Sequence, residues 1–382
     1  MSPPRVLILS AAIGEGHDGP ARRLAEGLAR EAPGVEVEIR DGLRTMGPPL
    51  DSVILGGSPF HSRWGNVLFD VEHRLVFHVA PVRALTGALL ESFGGRRLLR
   101  LIAAARPDVV VSTYPAVTEV LGRLRARSRL GVPVVAAVTD LAELQMWAHP
   151  RVDVHLVIHP ESAAEVRAIA GARARVVAVR GLSDAGFESP PSREAARGEL
   201  DLEQAERVVV VSGGGWAVGD LDGAAGVALA AGADRVLVLC GRREDIRARV
   251  AAHWARDPRV SALGFVEDMP GLLVAADALV HSTAGLTILE ALVVGCPAIS
   301  YGWGRAHIRV NNRAFAAHGL AEVARTPGEL RGALGRALAA PRTTPYPDWA
   351  EWPSAASVVL GELPRGRASA GPAGGGPSSV TR

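Results

Sequence analysis

Residues 263–312 read LGFVEDMPGLLVAADALVHSTAGLTILEALVVGCPAISYGWGRAHIRVNN. An apolar strand candidate closes at Gly264, and EDMPGLLVAAD follows as a short helix. ALVH, 278–281, reads as a buried strand. STAG, 282–285, is a small-residue turn that opens the helix LTILEALVVG. Continuous apolar strands alternating with helices belong to a parallel sheet covered on both faces. The turn supplies Ser282, Thr283, Ala284 and Gly285, hydroxyls and unobstructed amides at a helix start, where a phosphate is favoured. Glu290 follows about two turns into the helix. A carboxylate there can accept both hydroxyls of a ribose cis-diol, a geometry that a point cation cannot offer.

The same rhythm extends outward in both directions. Strand candidates are Val6–Leu9, Val35–Ile39, Val109–Ser112, Val132–Val138, His155–Ile158 and Val176–Val179. A second set comprises Arg207–Val211, Arg235–Leu239, Val260–Gly264, Ala278–His281 and Ala298–Ser300. The polar stretch GLSDAGFESPPSREAARGELDLEQAE, about 181–206, interrupts the pattern before it restarts. The expected fold class is therefore α/β, with two Rossmann-like domains facing across a cleft that holds the ligand. The expected organisation is a first domain over 1–182, a linker over 183–206 and a second domain over 207–340. A C-terminal segment over 341–364 and a disordered Gly/Pro/Ser-rich tail over 365–382 follow. Residues 43–98 hold much of the aromatic content and little strand signal, and read as a mostly helical insertion in the first domain. Their functional reading is an apolar acceptor channel or a membrane-docking surface, with Arg83, Arg96, Arg97 and Arg100 near anionic headgroups.

Two glycine turns follow strands. SAAIGEGHDGPARRLAEGL, 10–28, carries Gly14, Gly16 and Gly19 as G-x-G-x-x-G, and Asp41 ends the next strand candidate. That is the spacing of a dinucleotide fingerprint. It also places His17 at the turn. VVVVSGGGWAVGDL, 208–221, repeats the logic with Gly213, Gly214 and Gly215, whose backbone amides can approach an anion.

Composition narrows the classes. The chain has 382 residues, 48% hydrophobic, enough for two cores. Its net charge is only +2, which gives no bulk electrostatic case for nucleic acid. All 42 basic residues are arginine, and with the abundance of Ala, Gly and Pro this looks like codon bias. Cys240 and Cys296 are expected as two buried thiols rather than a disulfide. No run of eighteen apolar residues is present, and MSPPRVLILSAAIG fits a first strand better than a signal peptide. Asp220-Leu221-Asp222 spells D-x-D, but it begins a helix after a glycine turn, where acids favour the dipole. The histidines show no zinc spacing, so no metal site is expected. No G-x-S-x-G precedes a helix, which disfavours a hydrolase.

The stretches GFVEDM, STAGLTILEALVVGCPAI and AHIRVNN resemble the donor-binding domain of glycosyltransferase family 28. In the first half, GEGH and TDLAELQMWAHPRVD, 139–153, resemble the diacylglycerol branch of that family, which includes monogalactosyldiacylglycerol synthase. The likeness covers about residues 5–325. It implies the GT-B fold, a UDP-sugar donor as substrate, no cofactor, and transfer of a hexose with inversion and without metal. It further implies a hydroxyl acceptor, most simply a lipid such as diacylglycerol. The corresponding place is the cytoplasm, peripherally on the inner face of an anionic cell membrane.

Residue by residue, the resemblance puts the ribose carboxylate on Glu290 and the diphosphate turn on Ser282, Thr283, Ala284 and Gly285. The backbone that reads the uracil edge falls near Phe265 and Val266. The sugar-facing motif falls on His307 and Asn311, with Asn312 a register slip away, and the cleft turn on Gly213–Gly215. In the first domain the acceptor and diphosphate loop falls on Gly14, Gly16 and His17, and the Thr-Asp block on Thr139 and Asp140. Two positions depart from the family pattern: Leu144 stands where a histidine is common, and His307 where an amide or acid is usual. Asp140 and His17 are the candidate catalytic bases, with Asp140 slightly favoured. The alternatives are a catalytically weak or non-catalytic sugar-nucleotide or lipid-binding homologue, an NAD-dependent oxidoreductase built on the first glycine motif, and an epimerase.

Overall fold

The computed structural model describes residues 3–12, 15–47, 75–76, 79–283, 285–302 and 306–364. Twelve strands are present among them, in two parallel six-stranded sheets. The first contains β1 (Arg5–Ser10), β2 (Glu36–Asp41), β3 (Val109–Ser112), β4 (Val134–Val138), β5 (Val154–Val157) and β6 (Val176–Ala178), in the order β2-β1-β3-β4-β5-β6. The second contains β7 (Val208–Ser212), β8 (Arg235–Leu239), β9 (Val260–Leu263), β10 (Ala278–His281), β11 (Ala298–Tyr301) and β12 (Glu322–Ala324), in the order β12-β11-β10-β7-β8-β9. Valine runs such as those of β3, β4 and β7 are buried along their whole length. Branched side chains suit a pleated surface covered on both faces. Eleven strands lie where the apolar runs put them. β12 is the one not anticipated: a three-residue edge strand with a single buried residue carries too little pattern to stand out.

In each sheet the chain order reverses once, between β1 and β3 in the first and between β7 and β10 in the second. Neighbouring loops diverge there beyond the carboxyl ends of the strands, and the crevice between them is where open α/β sheets take ligands. The first glycine turn follows β1, and the second follows β7. Topology thus puts both turns at ligand-binding positions.

The helix after β1 starts earlier than the sequence suggests, at Glu15, and runs to Glu31 with Pro20 inside it. Gly16, His17 and Gly19 are therefore helical. Pro20 has no N–H for the carbonyl of Gly16, four residues back. Thr139 Oγ1 lies 3.4 Å from that oxygen instead. Of the expected helical insertion, the helices Gly42–Met46 and Ala80–Ala105 are described, while 48–74 and 77–78 lie outside the described residues. The two pack closely, since a Cβ at Gly94 would sit 2.6 Å from Met46 Cγ.

Within the stretch 183–206, the helix Arg193–Glu199 packs on the helix Met269–Ala275 of the second domain. Arg197 is fully buried. Its Nη1 donates to the carbonyls of Glu203, Gln204 and Glu206 at 2.7, 3.0 and 2.8 Å, and its Nη2 to Asp277 at 2.8 Å. Residues 341–364 return to the first domain. Ala355 N donates to Arg180 O at 2.8 Å, and the helix Ala355–Leu360 packs on Glu15–Glu31. One apolar cluster consequently runs through both domains, from Ile8 and Val111 to Val210, Leu279 and Val359. Cys240 and Cys296 are buried free thiols, as expected. Among the described residues, no helix is long and apolar enough to cross a membrane.

Candidate active site

The first-domain half of the site is built at the β1/β3 reversal. His17, two residues into its helix, points back over the end of β3. Its Nδ1 lies 3.0 Å from the carbonyl of Thr113. A carbonyl only accepts, so Nδ1 carries the proton and Nε2 keeps its lone pair. The imidazole is packed edge-on against Tyr114 (centroids 5.0 Å apart) and tilted on Trp147 (5.8 Å). Asp140, just past β4, accepts from Trp147 Nε1 at 2.8 Å. Burial dominates both groups, lowering the His17 pKa and raising that of Asp140, while the attraction between them opposes both shifts. The charge of His307 in the second domain also lowers the His17 pKa.

The second-domain half sits at the β7/β10 reversal. Gly213–Gly215 form a tight turn: a Cβ at Gly213 would lie 2.6 Å from Val218 N, and Gly214 has φ +66° with Thr283 Oγ1 3.2 Å from its Cβ position. The loop after β7 thus lies directly on the loop after β10. The Ser282 hydroxyl bonds to the Val218 carbonyl, and Thr283 Oγ1 pairs with His281 Nε2 at 2.9 Å. Both hydroxyls are engaged within the protein, as are two of the loop amides: Gly214 N donates to Ser212 Oγ and Ser282 N to the Ser212 carbonyl, each at 3.2 Å. The helix Leu286–Val293 begins at Gly285 with no side-chain cap, so its first N–H groups remain available to an anion. Asp220, by contrast, caps the helix Leu221–Ala230 after β7 by accepting from Gly223 N at 2.9 Å, the ordinary helix-start role read from D-x-D.

Glu290 faces the crossover between the domains. Its Oε1 accepts from Ser183 Oγ at 2.8 Å. Burial raises its pKa to about 7, with Asp184 adding to the rise and Ser183 and Arg23 opposing it. Phe265 is 47% exposed after β9, with the Arg242 guanidinium 4.0 Å above its ring; Val266 is part of the core margin. Asn311 is buried between the domains, its Oδ1 accepting from Leu141 N (2.8 Å) and Ala142 N (3.2 Å), and its Nδ2 donating to the His307 carbonyl at 3.0 Å. Asn312 bonds to Ser300 Oγ at 2.8 Å inside the second domain. Gly14 and Ala284 lie outside the described residues.

The structure brings His17, Asp140, Thr139 and Gly16 together on one wall, and Gly213–Gly215, Thr283, Gly285 and Glu290 on the other. Asn311 joins the walls. Sequence reading passed over Thr113, Trp147, Ser183 and Arg23. Trp147 lay inside the quoted Thr-Asp block; Thr113, Ser183 and Arg23 lie far from their partners in sequence and carry no local signal. Asp41, the acid that a dinucleotide ribose would need, caps the helix Gly42–Met46 through Arg44 N at 2.8 Å.

A family model described as monogalactosyldiacylglycerol (MGDG) synthase matches residues 27–183. A second, described as glycosyl transferases group 1, matches residues 224–338. A processive diacylglycerol beta-glucosyltransferase of Bacillus cereus is 22% identical over 330 residues, covering 86% of this chain and 84% of its own. MurG of Acinetobacter baumannii superposes with a TM-score of 0.55 at 18% identity, over 94% of this chain and 99% of that one. Medicago truncatula UGT71G1 complexed with UDP-glucose gives 0.54 at 12% identity, over 91% and 92%.

Proposed function

We propose that this chain, which has the GT-B fold and is similar to diacylglycerol glycosyltransferases, moves a hexose from a UDP-sugar to a hydroxyl of a lipid such as diacylglycerol, with inversion. One observation carries the reading. It is that polar groups suited to this chemistry lie beyond the strand-order reversal of each sheet, His17 with Asp140 in the first and the glycine turn with Glu290 in the second, and that Asn311 and Ser183 bond across the two domains.

The donor's ribose hydroxyls go to Glu290. Its diphosphate goes to the amides of Gly213 and Gly215 and the uncapped start of Leu286–Val293. The acceptor hydroxyl gives its proton to His17 Nε2 as its oxygen attacks the anomeric carbon. The bond from that carbon to the diphosphate oxygen breaks, and UDP leaves with the electron pair. Amides fixed before the reaction stabilise the developing negative charge, a helix start contributing up to about 2 kcal/mol when partly buried. His17 is a better base than Asp140 here. The Thr113 carbonyl fixes the useful tautomer, whereas Asp140 is committed to Trp147 and serves to stabilise the imidazolium. No step calls for a metal.

The helix Ala80–Ala105 supplies the surface for a membrane-resident acceptor. Leu85, Leu89 and Phe93 are 60, 47 and 51% exposed at helical spacing, with exposed Arg96 and Arg100 beyond them. Arg97, also exposed, donates to the Met46 carbonyl at 2.8 Å. Such an apolar ridge with adjoining cations suits an anionic bilayer on the cytoplasmic side.

The test is a panel of labelled UDP-sugars incubated with the protein and a lipid extract. Label in the organic phase is expected. Label only in a water-soluble glycoside would move the acceptor away from lipids. Tight NADH binding with no UDP binding would overturn the reading altogether.

A further inference from the structure

Four polar groups from three parts of the chain form a line beneath the cleft. Ser183, 5% exposed on the crossover between the domains, donates to Glu290 Oε1 at 2.8 Å. The next residue, Asp184, accepts from Gly186 N at 2.8 Å through Oδ1 and pairs with Arg23 Nη2 at 2.5 Å through Oδ2. Arg23 belongs to the helix Glu15–Glu31, which also carries His17. The elements against Glu290 on the other side, Met269–Ala275 (MPGLLVA) and β11 (AISY), contain no carboxylate or guanidinium, and β10 ends in His281. The charges facing Glu290 are therefore Arg23 and Asp184.

A buried carboxylate needs help to stay ionised. It must be ionised to accept two hydroxyls at once, and it has about four acceptor positions, so one bond from Ser183 leaves room for a cis-diol. We propose that Ser183 is a positioning residue for donor binding: its hydroxyl aims the Glu290 carboxylate and holds it ionised for the ribose, while the Asp184–Arg23 pair fixes the crossover that presents it. The inference rests on the assignment of Glu290 to the ribose. It gives the crossover a part in donor recognition, not only in linking two domains.

The experiment compares Ser183→Ala, Ser183→Thr and Glu290→Gln in the full chain, by UDP titration and by transfer rates between pH 5.5 and 9. Ser183→Ala should raise the KM for the UDP-sugar about tenfold with kcat within twofold, a loss typical of one hydrogen bond to a charged group. It should also move the acid limb of kcat/KM to higher pH, because the bond that favours the ionised form is gone. Ser183→Thr, which keeps the hydroxyl, should restore both. A merely structural role for Ser183 would weaken binding without moving the acid limb, and that result would overturn the inference. If Glu290→Gln binds UDP as the parent does, the ribose assignment itself fails. If Glu290→Gln loses UDP while Ser183→Ala keeps the parental pH profile, only the role of Ser183 fails.

Discussion

Replacing Glu290 by glutamine should stabilise the protein while removing donor affinity. The carboxyl titrates at about 7 in the fold against an ordinary 4.5, because partial burial against the crossover disfavours its charged form and Asp184 adds to the rise. The folded protein thus holds that proton more tightly than the unfolded chain. Between pH 4.5 and 7 the folded state binds more protons, so this group's contribution to stability falls as pH rises through that window. A gap of about 2.5 units at 1.36 kcal/mol each corresponds to about 3 kcal/mol of destabilisation above pH 7. Glutamine is neutral at every pH, and its carbonyl oxygen can still accept from Ser183 Oγ. Glu290→Gln should therefore be about 2–3 kcal/mol more stable than the parent at pH 8, with the difference vanishing near pH 4.5. Urea unfolding of both proteins at pH 5, 6.5 and 8 measures this; the other titrating groups cancel in the difference. UDP affinity by calorimetry at pH 8 should fall at least tenfold. Equal stability at pH 8 would refute the claim that the carboxylate is held ionised against its burial.

Further outcomes are expected elsewhere. His17→Ala should lower kcat by about 10²–10⁴-fold with UDP affinity nearly unchanged, since the imidazole serves proton transfer rather than nucleotide binding; an equal loss of UDP affinity in a titration would contradict that role. Asn311→Ala strips the buried N–H groups of Leu141 and Ala142 of their acceptor and should cost about 1–3 kcal/mol in denaturant unfolding. Arg197→Met leaves the carbonyls of Glu203, Gln204 and Glu206 without this donor and removes one cation from Asp277; a loss of about 3–5 kcal/mol is expected from the same measurement. The double substitution Leu89→Glu and Phe93→Glu should abolish cosedimentation with phosphatidylglycerol vesicles while leaving UDP affinity intact. Cosedimentation at parental levels would rule out the Ala80–Ala105 ridge as the membrane-facing surface.

Much of the architecture is legible from sequence because parallel strands buried on both faces announce themselves locally. Val208–Val211 can hardly be read otherwise, and Gly213–Gly215 directly after them mark the turn. Asp140 stands out in the same way, as a polar group just past a strand end, and His17 as one beside a glycine motif. Local signals also mislead. G-x-G-x-x-G followed by Asp41 has dinucleotide spacing, yet Asp41 is spent on a helix cap and Gly16 and Gly19 lie inside a helix. Asn311, read by resemblance as facing the sugar, has its carbonyl oxygen taken by backbone from 170 residues away.

The sequence by itself determined the two α/β domains, the glycine turns and the residue types that suit a nucleotide sugar. These follow from patterns a few residues long, set by side-chain periodicity and backbone sterics. Only the tertiary structure decided which nitrogen of His17 is free, what holds Glu290, and that residues 341–364 return to brace the first domain. Each of those depends on a contact between segments remote in the chain, where a serine hydroxyl or a backbone carbonyl carries no mark of its future partner. The order of the strands reverses once in each sheet, after β1 and after β7, where open α/β sheets take ligands.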